Sequence, residues 1–436
     1  MKVLKFGGTT LGSAARIKKV VALIQKGNKN IIIVSAFEGT TNKLIEIAGC
    51  LYGKNPEKAN EMIDRLENEY VILISELYAT QEYKILAENL LKKHFNIVKA
   101  FRNDLFTSLD EKTMLAQGEL ISSSLIHLML EERQVNAALI PALDFMRTDK
   151  NSEPDLIYIK ERLQKKLNLH PDAGVYITQG YICRNAYGEI DNLGREGSDF
   201  TATLIGAAIH AEEIQIWTKR DGMQNIDPHY LETTFSIRHL HFEEAAELAY
   251  FGARILHPSC ILPAKINNIP VRLLNTLNPE APGTLISNQM EKGTIKAVAA
   301  KDGITAIKII SGRMLLAHGF MGKVFEIFEN HQTAMNMVVT SEVAVSVTID
   351  KTDHLTEILN DLKKYGTVST DRHMTIICVV GDLDCCNLGF ESKVIQAMKD
   401  VRVRMISYGG SNYNISFLIR TEDKQRALQA LSNNLF

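Results

Sequence analysis

Apolar runs alternate with long amphipathic stretches over the first two thirds of the chain. Lys2-Val3-Leu4-Lys5-Phe6 is a short strand-like run, and Gly7-Gly8-Thr9-Thr10 reads as a tight turn. Ile17, Val20, Val21 and Ile24 then recur at i, i+3, i+4 and i+7, one face of a helix. Asn30-Ile31-Ile32-Ile33-Val34-Ser35-Ala36 is apolar throughout, as a fully buried parallel strand is. Residues 43–132 keep a helical period with little Pro or Gly punctuation, which predicts several helices, with Asn42 capping the first. Gly118, in Gln117-Gly118-Glu119-Leu120-Ile121-Ser122, falls inside a good helical pattern, and the plain expectation is a helix break with a solvated Glu119. Strands are predicted at 138–143, 175–182, 213–218 and 270–274, the last closing the α/β layer. A helix at 200–211 has Ser198 and Asp199 as candidate N-caps. His239-Leu240-His241-Phe242-Glu243-Glu244 reads as a helix start, and His257 as a packed or end-capping residue. Residues 278–293, rich in Pro and Gly, mark the domain boundary.

Beyond that loop the texture changes. Short alternating runs of the Ile304-Thr305-Ala306-Ile307-Lys308-Ile309 type lie beside short helical stretches with βαββαβ spacing, twice over. Two small α+β modules behind a large α/β domain suggest catalysis in front and regulation behind.

Composition narrows the class. With 436 residues, 45% hydrophobic and 23% charged, the chain has ample core for about three domains. A formal net charge of -2 gives no nucleic-acid footprint and no polybasic membrane surface. No apolar run is long enough to span a bilayer, and Met1 leads into a strand rather than a signal sequence. The six cysteines are scattered without C-x-x-C spacing, and Cys385-Cys386 read as core thiols, so a reduced, cytoplasmic protein without structural zinc is expected.

The chemistry begins at the first turn. A strand running through a Gly pair into a helix aims backbone N–H groups and a helix N-terminus at one spot, which suits an oxyanion. Lys5 adds a cation there. The sequence is neither a Walker A loop nor the glycine-rich loop of protein kinases. Ser35 and Thr41 follow the second strand, at the C-terminal end where α/β sheets bind ligands. Asn192-Leu193-Gly194-Arg195-Glu196-Gly197-Ser198-Asp199 makes a second anion cradle, with Arg195 as a carboxylate clamp.

These motifs together resemble the aspartokinase family over essentially the whole chain. The matching residues are Lys5-Phe6-Gly7-Gly8-Thr9, Val34-Ser35-Ala36, Gly118-Glu119, Gly197-Ser198-Asp199, Trp217-Thr218, Asp221-Gly222 and Leu256-His257-Pro258. Thr340-Ser341-Glu342-Val343-Ala344-Val345 is similar to the monofunctional lysine-sensitive branch. The resemblance implies a three-layer amino-acid-kinase (carbamate-kinase-like) domain over 1–290. Two ferredoxin-like ACT domains would follow, the first over 310–380 and the second formed by 295–309 with 381–436. It implies transfer of the γ-phosphoryl group of ATP, with Mg2+, to the side-chain carboxylate of L-aspartate, the first step of lysine, threonine and methionine biosynthesis (the diaminopimelate pathway). No protein metal cage is implied.

By the same resemblance Lys5, Gly7, Gly8, Ser35 and Asp199 are catalytic, Asp199 by orienting Lys5. Thr41, Glu119, Arg195 and Ser198 bind aspartate, Arg195 taking the α-carboxylate and Glu119 the α-amino group. Thr218, Asp221, Gly222 and Arg254 serve the nucleotide. Met314, Gly319, Phe320, Asn336, Thr340, Ser341 and Glu342 form an allosteric effector site, with lysine as the expected effector. A homodimer or dimer of dimers through the ACT domains is implied, and with Phe436 just past the second module no fused dehydrogenase is expected.

The departures cluster on the nucleotide side. Glu196 stands where the family usually has Gly, Lys219 where it has Asp, Gln224 for Tyr, His229 for Arg and Arg254 for Lys. Arg254 keeps the charge but not the geometry of Lys. Asn336 replaces the family's usual Asp, which predicts weakened lysine feedback. These changes motivate an alternative, a catalytically weakened or dead ACT-bearing amino-acid sensor; a milder alternative keeps the kinase and changes the acceptor to another amino acid or carboxylate.

Overall fold

The computed structural model describes the chain except residues 26–28, 102–104, 195, 253–256, 312–318 and 384–388. Arg195, Arg254 and Met314, with Cys385 and Cys386, therefore lie outside the described residues. The chain forms two compact units, Met1–Met223 with Leu256–Asn288, and Gln224–Ile255 with Gln289–Phe436. Residues 224–255 thus group with the C-terminal unit, although the sequence reading places them in the front domain of 1–290.

The first unit opens with β1 (Lys2–Phe6), a 3-10 turn over Gly8–Leu11, α1 (Ala14–Gln25) and β2 (Asn30–Val34). Four helices follow, α2 (Thr40–Tyr52), α3 (Pro56–Leu77), α4 (Gln81–Ala100) and α5 (Ser108–Glu132). Next come β3 (Ala137–Leu139), α6 (Leu156–Asn168), β4 (Val175–Gln179), the small antiparallel pair β5 (Ile182–Arg184) and β6 (Ile190–Asn192), α7 (Gly197–Ile209) and β7 (Ile214–Thr218). In the sheet the strands lie in the order Thr284–Ser287, Val271–Asn275, β7, β1, β2, β4, β3. All these pairings are parallel except that of the two final strands. The predicted last strand is therefore not last: within the expected boundary loop, Thr284–Ser287 pairs antiparallel with Val271–Asn275. Its four residues between Gly283 and Asn288 are too short a run to show a period.

The apolar face of α1 lies in the core with Phe6, Ile32 and Val34, and Ile17, Val20 and Val21 are fully buried. Burial of such side chains contributes roughly 1.5–3 kcal/mol each. Asn42 does not cap α2; Gly39, in the left-handed conformation, does. Gly118 does not break a helix either, because α5 runs unbroken for 25 residues. A Cβ at 118 would meet the Ala36 Cβ at 3.0 Å, so Gly118 lets α5 press against the loop after β2. That packing outweighs the ~1 kcal/mol helix penalty of glycine. It also buries Glu119, which is 3% exposed rather than solvated. His257 is an N-cap, its Nδ1 accepting from the Ser259 N–H in front of the helix Pro258–Ile266.

The second unit is built on two long strands, Ile295–Ile310 and Thr367–Gly381, paired antiparallel at the centre of a six-stranded sheet. Residues 304–310 pair on their other edge with Ala344–Ile349, which in turn pairs with Val338–Thr340. Residues 374–380 pair with Asn414–Arg420, and that strand with Val403–Tyr408. Register shifts near Lys301 and Ile304 mark the change from one half to the other. The two α+β modules expected in tandem therefore share one continuous sheet. One core holds Ile307, Val324, Phe328, Val345 and Ile358; the other holds Ile377, Val394, Phe417 and Leu428. The helix start expected within His239–Glu244 is found there: a short strand, His239–His241, leads into the helix Phe242–Tyr250, capped by the His241 side chain.

Candidate active site

The C-terminal ends of β1 and β2 and the N-termini of α2 and α7 enclose a cleft of about 900 Å³ in the first unit. Lys5, Gly7, Gly8, Ser35, Thr41, Glu119, Ser198 and Asp199 all line it, although they span nearly two hundred positions of sequence. The parallel register explains part of this, since Phe6 pairs with Val34 and the residues after each strand emerge side by side. The rest comes from α5, which passes beneath the end of β2. There the Ser122 hydroxyl donates to the Ser35 carbonyl at 2.8 Å.

Lys5 is 8% exposed and Asp199 7%. Lys5 Nζ and Asp199 Oδ1 are 2.6 Å apart, a charge contact whose angles do not make a directed hydrogen bond. An ammonium has three N–H groups, and contact with one carboxylate oxygen leaves others to offer elsewhere. Ser198 and Asp199 do not cap α7; the N-cap is Glu196, in the left-handed region at φ 56°. The backbone turns there so that both side chains fall within the first turn and reach the cleft.

Glu119 Oε1 accepts from the Ala36 N–H at 3.3 Å, while Oε2 is buried with no hydrogen-bond partner among the described residues. Burial pushes the Glu119 carboxyl up to about 8. An unpartnered buried carboxylate oxygen in a polar cleft is built to meet a donor, and a cationic one above all.

Thr218, Asp221 and Gly222 are not among the cleft's described lining residues. Thr218 ends β7, at the level of Gly7 by the Phe6–Trp217 register, and its hydroxyl donates to the Arg220 carbonyl at 3.1 Å. Asp221 Oδ1 accepts from the Gly283 N–H at 3.1 Å, and Gly222 turns the chain at φ 69°. Gln224 and His229 belong to the second unit, where Gln224 donates to Ser236 and His229 meets Asp227.

Lys219 is not an unbalanced positive charge. Its Nζ lies 3.1 Å from Glu38 Oε1, and Arg16 Nη1 lies 3.2 Å from Glu38 Oε2. Glu38 and Tyr181 line the cleft and were not site candidates in the sequence, and Asn42, expected only as a cap, lines it too. Glu38 sits within the quoted 35–42 segment and carried no separate signal. Tyr181 is recognisable only from its backbone, held at φ 68° with its N–H donating to Thr201.

Comparison with known proteins fits this site. Residues 1–275 match the amino acid kinase family and residues 377–435 an ACT domain. The chain is 32% identical to lysine-sensitive aspartokinase 3 of Escherichia coli, over 100% of this chain and 99% of that protein. This chain belongs to the aspartokinase family. It is also 33% identical to the chloroplastic aspartokinase 1 of Arabidopsis thaliana, covering 100% of this chain and 80% of that one. The crystal structure of E. coli aspartokinase III with aspartate and ADP (R-state) superposes with a TM-score of 0.85 at 30% identity, over 100% of both chains. The same enzyme with lysine and aspartate (T-state) gives 0.80 at 31% identity, over 100% of this chain and 99% of that one. The fold is thus the amino-acid-kinase α/β domain followed by ACT-type α+β structure.

The effector candidates of this aspartokinase lie in the second unit. Gly319 caps the helix Phe320–Asn330 in the left-handed conformation, and Phe320 is buried. Thr340 ends a strand, and the Ser341 N–H donates to the Ala344 carbonyl, closing a turn that exposes Glu342. Asn336 Nδ2 donates to the Tyr250 hydroxyl at 3.1 Å, and its Oδ1 is buried with no hydrogen-bond partner among the described residues.

Proposed function

We propose that the cleft is where this aspartate kinase aligns the γ-phosphoryl group of ATP with the side-chain carboxylate of L-aspartate. The observation that carries the reading is that the Lys5–Asp199 contact and Glu119, with its unpartnered oxygen, line one cleft. The acceptor carboxylate is already ionised at neutral pH, so the reaction needs alignment and charge stabilisation rather than a general base. Lys5 and the N–H groups of Gly7 and Gly8 hold the transferring phosphoryl, with Asp199 fixing the ammonium of Lys5. Glu119 takes the α-ammonium of aspartate, Arg195 its α-carboxylate, and Thr41, Ser198 and Ser35 complete the polar wall. Thr218, Asp221, Gly222 and Arg254 serve the nucleotide from the β7 side. Magnesium comes with the nucleotide, on phosphate oxygens and water. The dead-sensor alternative finds no support in a cleft that keeps this charge pattern.

The domain division follows the same reading, with a catalytic part over 1–290 and ACT domains over 310–380 and over 295–309 with 381–436. Lysine is the favoured effector, since the E. coli relative is lysine-sensitive and has been crystallised with lysine. A cytoplasmic enzyme associating through its ACT domains completes the proposal. Among the described residues no helix is long and apolar enough to cross a membrane.

The decisive assay incubates the protein with MgATP, L-aspartate and hydroxylamine and measures the hydroxamate. Absence of product from folded protein at every nucleotide concentration would sink the kinase reading. For regulation, Asn336→Asp adds a carboxylate facing a cationic effector. Lysine inhibition should then tighten on the order of tenfold, a gain of about 1.4 kcal/mol. An unchanged inhibition curve places lysine elsewhere.

A further inference from the structure

The cleft holds more negative charge than its task calls for. Four carboxylates line it, Glu38, Glu119, Glu196 and Asp199, together with the single described cation Lys5. Two of them meet a cation directly, and a third is placed for the substrate's. Glu38 meets Lys219 and Arg16 at the rim, Asp199 meets Lys5, and the free oxygen of Glu119 awaits an ammonium. Glu196 is the remainder. One side of its carboxyl accepts from the His257 N–H. The other, Oε2, is buried with no hydrogen-bond partner among the described residues.

The groups facing Glu196 come from three elements. Asp199 lies one turn along α7, Lys5 on β1, and His257 with Cys260 at the start of the helix Pro258–Ile266. The Cys260 thiol donates to the Glu196 backbone carbonyl at 3.7 Å, and burial, Asp199 and Glu196 push that thiol up to about 12. It therefore stays neutral and adds no further negative charge of its own. Arg195, the chain neighbour, lies outside the described residues. The φ of 56° at Glu196 is a conformation most side chains avoid. A carboxylic side chain is thus held, against backbone preference, at the mouth of the helix that presents Ser198 and Asp199.

We infer that Glu196 works as a neutral carboxylic acid, its Oε2–H donating to the anionic reactants in the cleft, and that its ionisation opposes phosphoryl transfer. An ionised Glu196 would put a second negative charge beside Asp199 where a phosphoryl group and two substrate carboxylates must gather. A protonated one supplies the donor that the family's usual glycine lacks at this position. Burial and the charge of Asp199 both favour the proton, raising the carboxyl above its ordinary range, in keeping with this role.

The inference rests on the kinase reading, and wild-type turnover tests that reading by itself. The shape of the pH profile tests Glu196. Turnover by the full chain is measured against pH for wild type, Glu196→Gln and Glu196→Gly at saturating MgATP and aspartate. The wild type should lose activity on the alkaline side by about tenfold per pH unit, as a single ionisation requires. Glu196→Gln keeps a donor but cannot ionise, so it should hold the plateau and lack that limb. Glu196→Gly, which also relieves the backbone, should lack the limb at a lower plateau. A limb of unchanged midpoint in Glu196→Gln, or a Glu196→Gln enzyme weaker than wild type at every pH while Glu196→Gly is folded and active, overturns the assignment.

Discussion

Replacing Lys5 by methionine should lower kcat by about 10³-fold or more, the scale of losing a preorganised charge at the transferring group. The apolar stem of methionine keeps the packing, so the loss is of charge. Lys5 and Asp199 are both nearly buried and touch one another, so the substitution also strands a carboxylate. Breaking a buried pair from one side costs about 3–5 kcal/mol of stability. Lys5→Met should therefore melt below the wild type as well as turn over slowly. The double variant Lys5→Met/Asp199→Asn separates the two effects: it should recover most of the stability and none of the rate. Recovery of rate in the double variant would show that Lys5 serves the fold and not the phosphoryl group. Single-turnover hydroxamate formation and thermal melts measure the two quantities on the same protein.

Glu119→Gln should raise the KM for aspartate by about 10²-fold with a smaller change in kcat, because a charged contact to a buried ammonium is exchanged for a neutral one. A pH signature accompanies it. Burial raises the Glu119 carboxyl from 4.5 to about 8, so at pH 7 the empty cleft holds it mostly protonated. An ammonium beside Oε2 favours the ionised form, so aspartate binding releases a proton from Glu119 and tightens as pH rises toward 8. The stability of the free enzyme runs the opposite way. Between about 4.5 and 8 the unfolded chain has already lost this proton and the folded chain still holds it, so stability falls with rising pH across that window. Calorimetric titration with aspartate in two buffers of different ionisation enthalpy counts the proton. Equal proton release from wild type and Glu119→Gln would remove Glu119 from the ammonium site.

Much of this site can be read directly from the chain. Lys5, the Gly7-Gly8 turn and the apolar face of α1 follow from periodicity and turn chemistry, because a buried strand and an amphipathic helix each need their own spacing. Arg195 and Arg254 belong to motifs that name them as candidates, and both lie outside the described residues. The strand Thr284–Ser287 was hidden because four residues carry too little period to rise above a loop. The sharing of one sheet by both ACT-type modules was hidden because two strands of 16 and 15 residues run past the module boundary, with register shifts absorbing the change.

The residues whose meaning changed most are acidic, and the reason is physical. A Glu in sequence is a charge; whether it is solvated, paired or forced to keep a proton depends on what packs around it. Sequence alone determined that Lys5, Ser35 and Asp199 were candidates for one chemistry, since they lie at strand ends and a helix start, while Glu119, inside a helical run, became a candidate only through the family resemblance. Tertiary structure decided that Glu119 is buried by the packing of Gly118 on Ala36, that Lys219 is answered by Glu38, and that the Glu196 Oε2 is left without a hydrogen-bond partner among the described residues. Those outcomes arise from groups up to 181 positions apart brought within hydrogen-bonding range, and no local pattern encodes them.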